Sequence, residues 1–291
     1  MPTLRLITPC KVNLVLNILG RRADGFHELE TLFLPVLIGD ELSFEPAPKG
    51  VQLTCSDPAL AADETNLVHL AAAAFFEVFP AAPHGVSIHL QKHLPMAAGL
   101  GGGSADAAFT LRGLNQMYGT PLPGDRLHEL AARLGSDVPF FLQDQPAVAS
   151  GRGEVVEPVP KSQALRGCGI LLVHPGFGIS TPWAYRQLAQ YPQQVQGVPG
   201  RATAMAQALR AGGREEVAAH LYNTLEVPAF AKHPVLPVIK AFFQARGAAA
   251  LMCGSGSCMF AITANLEAAQ SLQEEYRLQF GAAGWTRTAL L

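Results

Sequence analysis

The chain has 291 residues, 49% of them hydrophobic, and its 21 Lys and Arg stand against 23 Asp and Glu for a formal charge of −2. This apolar content is enough for a large buried core, which excludes a disordered chain, and the length favours two domains over one. A near-zero charge without a Lys/Arg tract argues against a nucleic-acid partner. The apolar runs fall far short of the 18 or so residues of a membrane helix, and no secretory signal pattern opens the sequence, so we expect no membrane partner.

The cysteines indicate a reducing compartment. They are five in number and scattered along the chain, which argues against a disulfide framework. No CxxC or HExxH pair occurs, and His89 and His93 span a predicted strand and turn instead of one helical face. We therefore expect a cytoplasmic protein and assign no residue as a metal ligand.

Strands and helices alternate in the first half of the chain. Apolar alternation and short apolar runs predict strands at 4–8, 11–19, 27–38, 41–44, 51–55 and 86–90. Asn66 begins a segment whose apolar residues repeat on one helical face up to residue 79. Two further helices are predicted at 104–118 and 125–134.

The second half begins after a predicted boundary in the proline-containing segment 158–166, which gives domains 1–160 and 161–291. Beyond it we predict strands at 168–174, 249–253, 258–263 and 285–289. The predicted helices lie around 182–190, 202–211, 214–221, 234–246 and 265–280. Because strands and helices alternate without a strict βαβ rhythm, we predict an α+β fold in two lobes.

The segment PMAAGLGGGSADAA at 95–108 is the most informative part of the sequence. Four of the five residues from Gly99 to Gly103 are glycine, and Ser104 follows as the predicted N-cap of a helix. A helix N-terminus attracts an anion, and glycines let backbone N–H groups wrap a phosphate. The alternative is a tight strand-to-helix turn whose glycines serve packing alone. The chain has no Gly-Lys pair for a Walker loop, and Ser104 stands where GxGxxG needs its third glycine.

Other residues leave two interpretations open. Asp137, set among Val, Pro and Phe, is either a partly desolvated base or a turn or cap residue. Lys11 shares a strand face with Asn13 and is either a site lysine or an edge lysine in solvent. The Phe26–His27 pair either covers a sheet edge or holds a nucleobase. The GSGS segment at 254–257 is a second glycine cluster, and it becomes a site only if it faces the glycine-rich segment that begins at Pro95, which we call the first glycine loop.

These residues resemble the motifs of GHMP-type small-molecule kinases. All three motifs occur in order, as PCKVNL at 9–14, PMAAGLGGGSADAA at 95–108 and GSGS at 254–257, although Cys10 stands where the family usually has Ala. The strings GRRADGFHELETLF, LGSDVPFF and GRGE are more particular to those members that phosphorylate a cytidine-diphosphate-linked methylerythritol. The resemblance implies an N-terminal lobe with a left-handed βαβ crossover around the ATP loop and a C-terminal ferredoxin-like lobe.

The resemblance also implies a role for each residue that matches a motif. Asp137 would accept the proton of the substrate's 2-hydroxyl, and Lys11 would keep it ionised and stabilise the moving phosphoryl group. His27 would bind cytosine, stacked between Phe26, where the family commonly has Tyr, and Tyr185. The residues implied for ATP are Asn66, Lys92, Pro95, Met96, Ala97, Ala98, Gly99, Leu100, Gly101, Gly102, Gly103 and Ser104. Those implied for the substrate are Asn13, Phe26, His27, Thr181 and Tyr185.

The implied ligands are ATP as co-substrate, Mg²⁺ and the cytidine-diphosphate-linked methylerythritol, bound by a monomer or weak homodimer. One alternative is another GHMP small-molecule kinase, but the Phe26–His27 pair and the aromatic Tyr185 favour a cytidine-bearing substrate instead. Another is a non-catalytic nucleotide-binding sensor on the same fold. Such a sensor would be expected to lose the base or the lysine, whereas Asp137 and Lys11 are both present.

Overall fold

A computed structural model describes residues 3–80, 82, 84–160, 163–194 and 197–291 of the chain. These residues form two compact units that interleave along the sequence. The first comprises Met1–Cys10, Leu37–Leu94 and Gly101–Asp144, and the second comprises Lys11–Val36, Pro95–Leu100 and Gln145–Leu291. The boundary between domains 1–160 and 161–291 stays a prediction, because residues 161 and 162 lie outside the described part of the chain.

The first unit contains a four-stranded sheet. Its strands, in spatial order, are β1 (Leu4–Ile7), β4 (Glu41–Ala47), β6 (Gly85–Gln91) and β5 (Val51–Cys55). The β4 strand pairs antiparallel with β1 and β6, and β5 pairs parallel with β6. Leu42 and Phe44 alternate along β4 into the core, as a period of two predicts.

Helices complete the first unit. They are α1 (Leu67–Val78), α2 (Gly102–Met117), α3 (Gly124–Leu134) and the 3-10 helix Pro139–Leu142. The α1 helix connects the parallel strands β5 and β6, as in a βαβ unit, and the handedness of that crossover stays a prediction. Asn66 caps α1, because its Oδ1 accepts a hydrogen bond from the Val68 N–H at 2.9 Å.

The second unit begins with a five-stranded sheet. Its spatial order is β10 (Tyr222–Asn223), β2 (Cys10–Arg21), β3 (His27–Val36), β7 (Ala147–Gly151) and β8 (Val155–Pro158). The β10 strand runs parallel to β2, and β7 runs antiparallel to β3 and β8. Every residue of β2 from Cys10 to Ile18 is buried. A polar side chain on this strand is therefore held in the interior.

A second sheet in this unit has the spatial order β11 (Ala249–Met252), β12 (Met259–Thr263), β9 (Gly169–His174) and β13 (Trp285–Leu290). All neighbouring strands are antiparallel. With α8 (Val235–Gln244) before β11 and α9 (Leu266–Phe280) before β13, the chain follows the βαββαβ order of ferredoxin-like folds. The predicted α+β class and ferredoxin-like C-terminal part are confirmed.

The remaining helices of the second unit are α4 (Thr181–Gln187), α5 (Arg201–Ala211), α6 (Arg214–His220) and α7 (Glu226–Lys232), with short 3-10 helices at Leu188–Gln190 and Pro192–Gln194. Sequence patterning missed β7, β8, β10 and α7. With two residues, β10 is too short to show any period. Among the described residues, no helix is both long enough and apolar enough to span a membrane.

Candidate active site

Lys11 and Asn13 lie side by side on β2, as the period of a strand predicts. Lys11 Nζ donates to Asn13 Oδ1 at 2.7 Å, and Asn13 Nδ2 donates to Thr31 Oγ1 at 2.8 Å. The Thr31 hydroxyl in turn donates to the Val15 carbonyl at 2.5 Å, so the chain of bonds ends on backbone. Lys11 is 4% exposed on a strand paired on both sides. The interpretation as a solvent-exposed edge lysine is therefore wrong.

The residues 95–100 of the first glycine loop are bonded to three other segments of the second unit. The Leu100 carbonyl accepts from the Lys11 N–H at 2.9 Å, and the Ala98 carbonyl accepts from the Cys258 N–H at 3.2 Å. The Ala97 carbonyl accepts from the Ile179 N–H at 3.3 Å. The loop is thus anchored through carbonyl oxygens, whereas an anion would be bound by N–H groups.

The two glycine clusters approach each other within the second unit. Gly99 has φ +79°, and a Cβ on it would stand 2.0 Å from the Cys253 carbonyl oxygen. A Cβ on Gly254 would stand 3.0 Å from the Gly99 carbonyl oxygen and 3.4 Å from Lys11 Nζ. Only glycine permits backbones to come this close. The GSGS segment therefore faces the first glycine loop, which is the condition for it to act as a site.

The helix after the loop begins earlier than predicted. We expected Ser104 to be its N-cap, but α2 begins at Gly102, and the N-cap is Gly101 in the left-handed region at φ +73°. Glycine reaches this conformation without a steric cost, so the chain turns into the helix before Ser104. No side-chain hydrogen bond caps α2. The first N–H groups of α2 therefore do not bond to an N-cap side chain. An anion site requires such N–H groups to be available.

Asn223 holds the second glycine cluster, and sequence analysis missed it. Its Nδ2 donates to the carbonyls of Met252 at 2.9 Å and Gly254 at 2.8 Å, and its Oδ1 accepts from the Leu225 N–H at 2.9 Å. Asn223 is 4% exposed and lies on β10, which pairs with β2. It thereby links the start of GSGS to the strand that carries Lys11. A two-residue strand gives no signal in the sequence that could have found it.

Thr181, implied as a substrate residue, also contacts the second glycine cluster. Its Oγ1 lies 2.8 Å from Ser255 Oγ, and Ser255 is 5% exposed. The Ser257 hydroxyl donates to the Phe177 carbonyl a few residues before α4. These bonds fix the position of the α4 N-terminus against GSGS.

The implied base-binding residues are also in the second unit. The His27 and Tyr185 rings lie 5.2 Å apart between centroids, at 40°. Burial, and then the charge of Arg21, lower the pKa of His27, so its imidazole is neutral at pH 7. The Arg152 guanidinium lies 4.8 Å from the centroid of the Phe26 ring. Arg152 belongs to the GRGE string, the signal from which it could have been singled out.

Lys92 is enclosed by acidic groups of the first unit. Its ammonium donates to Asp40 Oδ2 and to Asp106 Oδ2, the latter at 2.9 Å. Burial opposes the charge on Lys92, but the charges of Asp106 and Asp40 outweigh it and raise the pKa of this lysine. Asp40 was not predicted as a site residue. The implied contact of Lys92 with ATP stays a prediction.

Asp137 and Asn66 complete the implied residues of the first unit. Asp137 lies in the turn between α3 and the 3-10 helix Pro139–Leu142, whose N-cap is Val138. Both side-chain groups of Asn66 are used locally, since its Nδ2 also donates to the Ala61 carbonyl at 2.7 Å. The pairing of Asp137 with Lys11 and the contact of Asn66 with ATP stay predictions. No three His, Cys, Asp or Glu side chains group as an ion site in the described ranges.

Comparison with known proteins identifies the family. The family models "GHMP kinases N terminal domain" and "GHMP kinases C terminal" match residues 66–152 and 205–282. A 4-diphosphocytidyl-2-C-methyl-D-erythritol kinase of Synechococcus sp. (strain JA-2-3B'a(2-13)) is 39% identical over 96% of this chain and 91% of its own. The kinase of the same name from Pelotomaculum thermopropionicum is 40% identical over 92% of this chain and 91% of its own.

Solved structures agree with these sequence matches. A crystal structure of 4-(cytidine 5'-diphospho)-2C-methyl-D-erythritol kinase is 34% identical, covers 98% of both chains and superposes with a TM-score of 0.79. Homoserine kinase from Cytophaga hutchinsonii, at 20% identity, covers 99% of this chain and 94% of its own with a TM-score of 0.75, and shares the fold. The chain therefore belongs to the GHMP kinases, in the family of the 4-diphosphocytidyl-2-C-methyl-D-erythritol kinases.

Proposed function

We propose that this protein transfers the γ-phosphoryl group of ATP to the 2-hydroxyl of 4-diphosphocytidyl-2-C-methyl-D-erythritol, a step of isoprenoid precursor biosynthesis. The observation that carries the proposal is the meeting of the two glycine clusters beside Lys11 in the second unit. Relatives that bear this enzyme name match nearly the whole chain. The proposal includes a cytoplasmic location, a monomer or weak homodimer and no nucleic-acid partner. The lack of any disulfide among the five cysteines supports the location.

Phosphoryl transfer mainly requires in-line positioning and stabilisation of the charge on the moving group. The loop 95–101 and the first residues of α2 would bind the ATP phosphates through backbone N–H groups. Mg²⁺ would enter with ATP, coordinated by phosphate oxygens and water, and we assign it no protein ligand. The ammonium of Lys11, oriented by Asn13, would stabilise the negative charge on the phosphoryl group in the transition state.

Asp137 would act as the general base. In a half-buried position it would accept the proton of the substrate's 2-hydroxyl as the oxygen attacks the γ-phosphorus. The rest of the substrate would be held in the second unit. His27 and Tyr185 would bind the cytosine, while Thr181 and Asn13 would hold the erythritol chain and its phosphates.

The test is ADP release with Mg-ATP and 4-diphosphocytidyl-2-C-methyl-D-erythritol, measured for the wild type and Asp137→Asn. Because the amide cannot accept the proton, we expect turnover to fall by roughly 10²-fold or more while ATP affinity is kept. Asp144→Asn is the matched control, since the Asp144 side chain is 73% exposed and bridges Arg112. Unchanged turnover in Asp137→Asn would remove Asp137 from the role of base.

A competing acceptor tests the substrate. A related alcohol without the cytidine diphosphate group should be phosphorylated far less efficiently, because it makes no contact with His27 or Tyr185. Equal kcat/KM values for the two alcohols would contradict the cytosine site and favour another GHMP kinase activity. Binding of ATP without turnover of any alcohol would favour a nucleotide sensor.

A further inference from the structure

Three buried charged side chains of the first unit connect the two ends of the first glycine loop. Lys92, Asp40 and Asp106 have side chains that are 8%, 0% and 2% exposed. The Lys92 ammonium bridges the two carboxylates. Removing charges from water is costly unless they are paired in good geometry, so each member depends on the others. We call these three residues the clasp.

Asp40 binds the chain where it enters the loop. Its Oδ1 accepts hydrogen bonds from the backbone N–H groups of His93, at 2.5 Å, and Leu94, at 2.8 Å. These two residues directly precede Pro95, the first residue of the loop. One carboxylate thus fixes both the backbone that leads into the loop and, through Oδ2, the side chain of Lys92.

Asp106 lies on the other side of the loop, as the fifth residue of α2. Its Oδ1 accepts from the Thr8 hydroxyl at 3.2 Å. Thr8 is itself joined to Asp40, since the Thr8 N–H donates to the Asp40 carbonyl at 2.9 Å and its hydroxyl accepts from the Asp40 N–H at 3.1 Å. Asp40 also lies against the helix start, because a Cβ on Gly102 would stand 3.4 Å from Asp40 Oδ2. The bonds between the two ends of the loop therefore form a closed ring.

We propose that Asp40 and Asp106 are positioning residues for ATP, and that with Lys92 they hold the two ends of the loop 95–101 at a fixed separation. The inference rests on the proposed function, because it assigns this loop to the ATP phosphates. A glycine-rich loop loses much conformational entropy when it is ordered. Ends that are fixed before ATP arrives reduce this loss on binding.

The implied contact of Lys92 with ATP allows a different account that predicts an effect of opposite sign. If the two carboxylates only compete with ATP for the Lys92 ammonium, neutralising one of them would release the cation and tighten ATP binding. If they hold the loop, neutralising one would loosen both the lysine and the chain and weaken ATP binding. The direction of the change therefore decides between the two accounts.

The experiment compares Asp40→Asn, Asp106→Asn and the double variant at pH 8. Binding of a non-hydrolysable ATP analogue with Mg²⁺ is measured by calorimetry, beside kcat and both KM values. Asparagine at residue 40 keeps an oxygen for the N–H groups of His93 and Leu94, so the change removes the negative charge together with the oxygen that accepts from Lys92. We expect Kd and KM for ATP to rise about tenfold, with kcat and the KM for the alcohol within about threefold. The double variant should lose less than the product of the single effects, because both carboxylates act through Lys92.

Asp144→Asn is again the matched control and should leave ATP affinity unchanged. Thr8→Val, a milder change of nearly the same shape, should weaken ATP binding in the same direction and serves if Asp40→Asn does not fold. A folded Asp40→Asn protein that binds the analogue as tightly as the wild type, or more tightly, would overturn the proposal that the clasp positions the loop for ATP. A wild type that binds the analogue but does not phosphorylate the alcohol would overturn the proposed function instead, and the binding data would still decide on the clasp.

Discussion

The backbone at Gly99 lies so close to the Cys253 carbonyl that a Cβ at residue 99 would stand 2.0 Å from its oxygen. The contact joins the first glycine loop to the segment that begins GSGS. Two glycine clusters more than 150 residues apart in the sequence are therefore parts of one structure. Its geometry depends on the absence of a side chain.

We predict that Gly99→Ala lowers both the melting temperature and kcat/KM for ATP. The new methyl group would collide with backbone, which cannot move aside as a flexible side chain can, and φ +79° adds strain. Thermal unfolding and initial rates at varied ATP measure the two effects.

Gly119→Ala separates the two causes. Gly119 has φ +80°, almost the same as Gly99, but nothing lies within 4 Å of the position of its Cβ. The free energy of unfolding of Gly119→Ala should therefore fall by about 1 kcal/mol from backbone strain alone, and the variant should keep its activity. If the two variants lose the same activity, contact with Cys253 is not what the glycine at 99 serves.

Local patterns in the sequence predicted those parts of the candidate active site that depend on residues close together in the chain. Asn13 was placed beside Lys11 by strand periodicity, and the start of α1 next to Asn66 by the apolar face of the helix that follows. Both relations join residues close in sequence. The predicted cap at Ser104 was wrong, because the left-handed Gly101 ends the loop earlier.

Residues whose partners are distant in sequence were missed. Asp40 is one aspartate before a strand, and nothing near it in the sequence indicates that Lys92 and the backbone of His93 bond to its carboxylate. Asn223 likewise bonds to carbonyls about 30 residues later. Such bonds depend on how the strands are arranged, which a period of two or 3.6 does not encode.

We predict that Asn223→Asp impairs activity more than its effect on stability explains. The carboxylate would face the Met252 and Gly254 carbonyls with no N–H group to donate, so GSGS would move from its place beside Lys11. The loss of stability should be about 1–3 kcal/mol, as for buried polar groups left without a partner. The measurement is kcat beside a urea unfolding curve.

Asn115→Asp is the matched control. Asn115 is also buried, and its Nδ2 donates to the Leu122 carbonyl in the connection from α2 to α3. The free energy of unfolding of Asn115→Asp should fall by about as much as that of Asn223→Asp, but this variant should keep more of its kcat. Equal losses of kcat at matched stability would contradict a specific role for Asn223.

We predict that His27→Ala raises the KM for the cytidine substrate by about tenfold and leaves the KM for ATP within about twofold. The ring that packs against Tyr185 is lost together with one hydrogen-bond donor and one acceptor. Because the pKa of His27 is lowered, its imidazole is neutral above pH 7, and the wild-type KM should stay level between pH 7 and 8. His89→Ala, which changes an imidazole bonded to the exposed Thr54, should alter neither KM. A rise in the KM for ATP alone would place His27 at the other substrate.

The clasp also predicts a dependence of stability on pH. Burial, with a contribution from the charge of Asp40 and opposed by Lys92, raises the pKa of Asp106 to about 7. An aspartate in an unfolded chain has a pKa of about 3.9, so between about pH 4 and 7 the folded protein keeps a proton that the unfolded chain has released. Linkage then lowers the free energy of unfolding as pH rises through that window, with no further change above it.

Asp106→Asn carries no titrating group at this position and should lack this dependence. The melting temperature of the variant minus that of the wild type should therefore increase from pH 5 to pH 8, by about 2–4 °C for each kcal/mol of linkage. The same difference for Asp144→Asn, whose side chain is 73% exposed, should be nearly level. A difference that stays constant or decreases in Asp106→Asn would mean that Asp106 ionises as readily in the folded protein as in the unfolded chain. The negative charge that the clasp places beside Lys92 would then be present across the whole pH range.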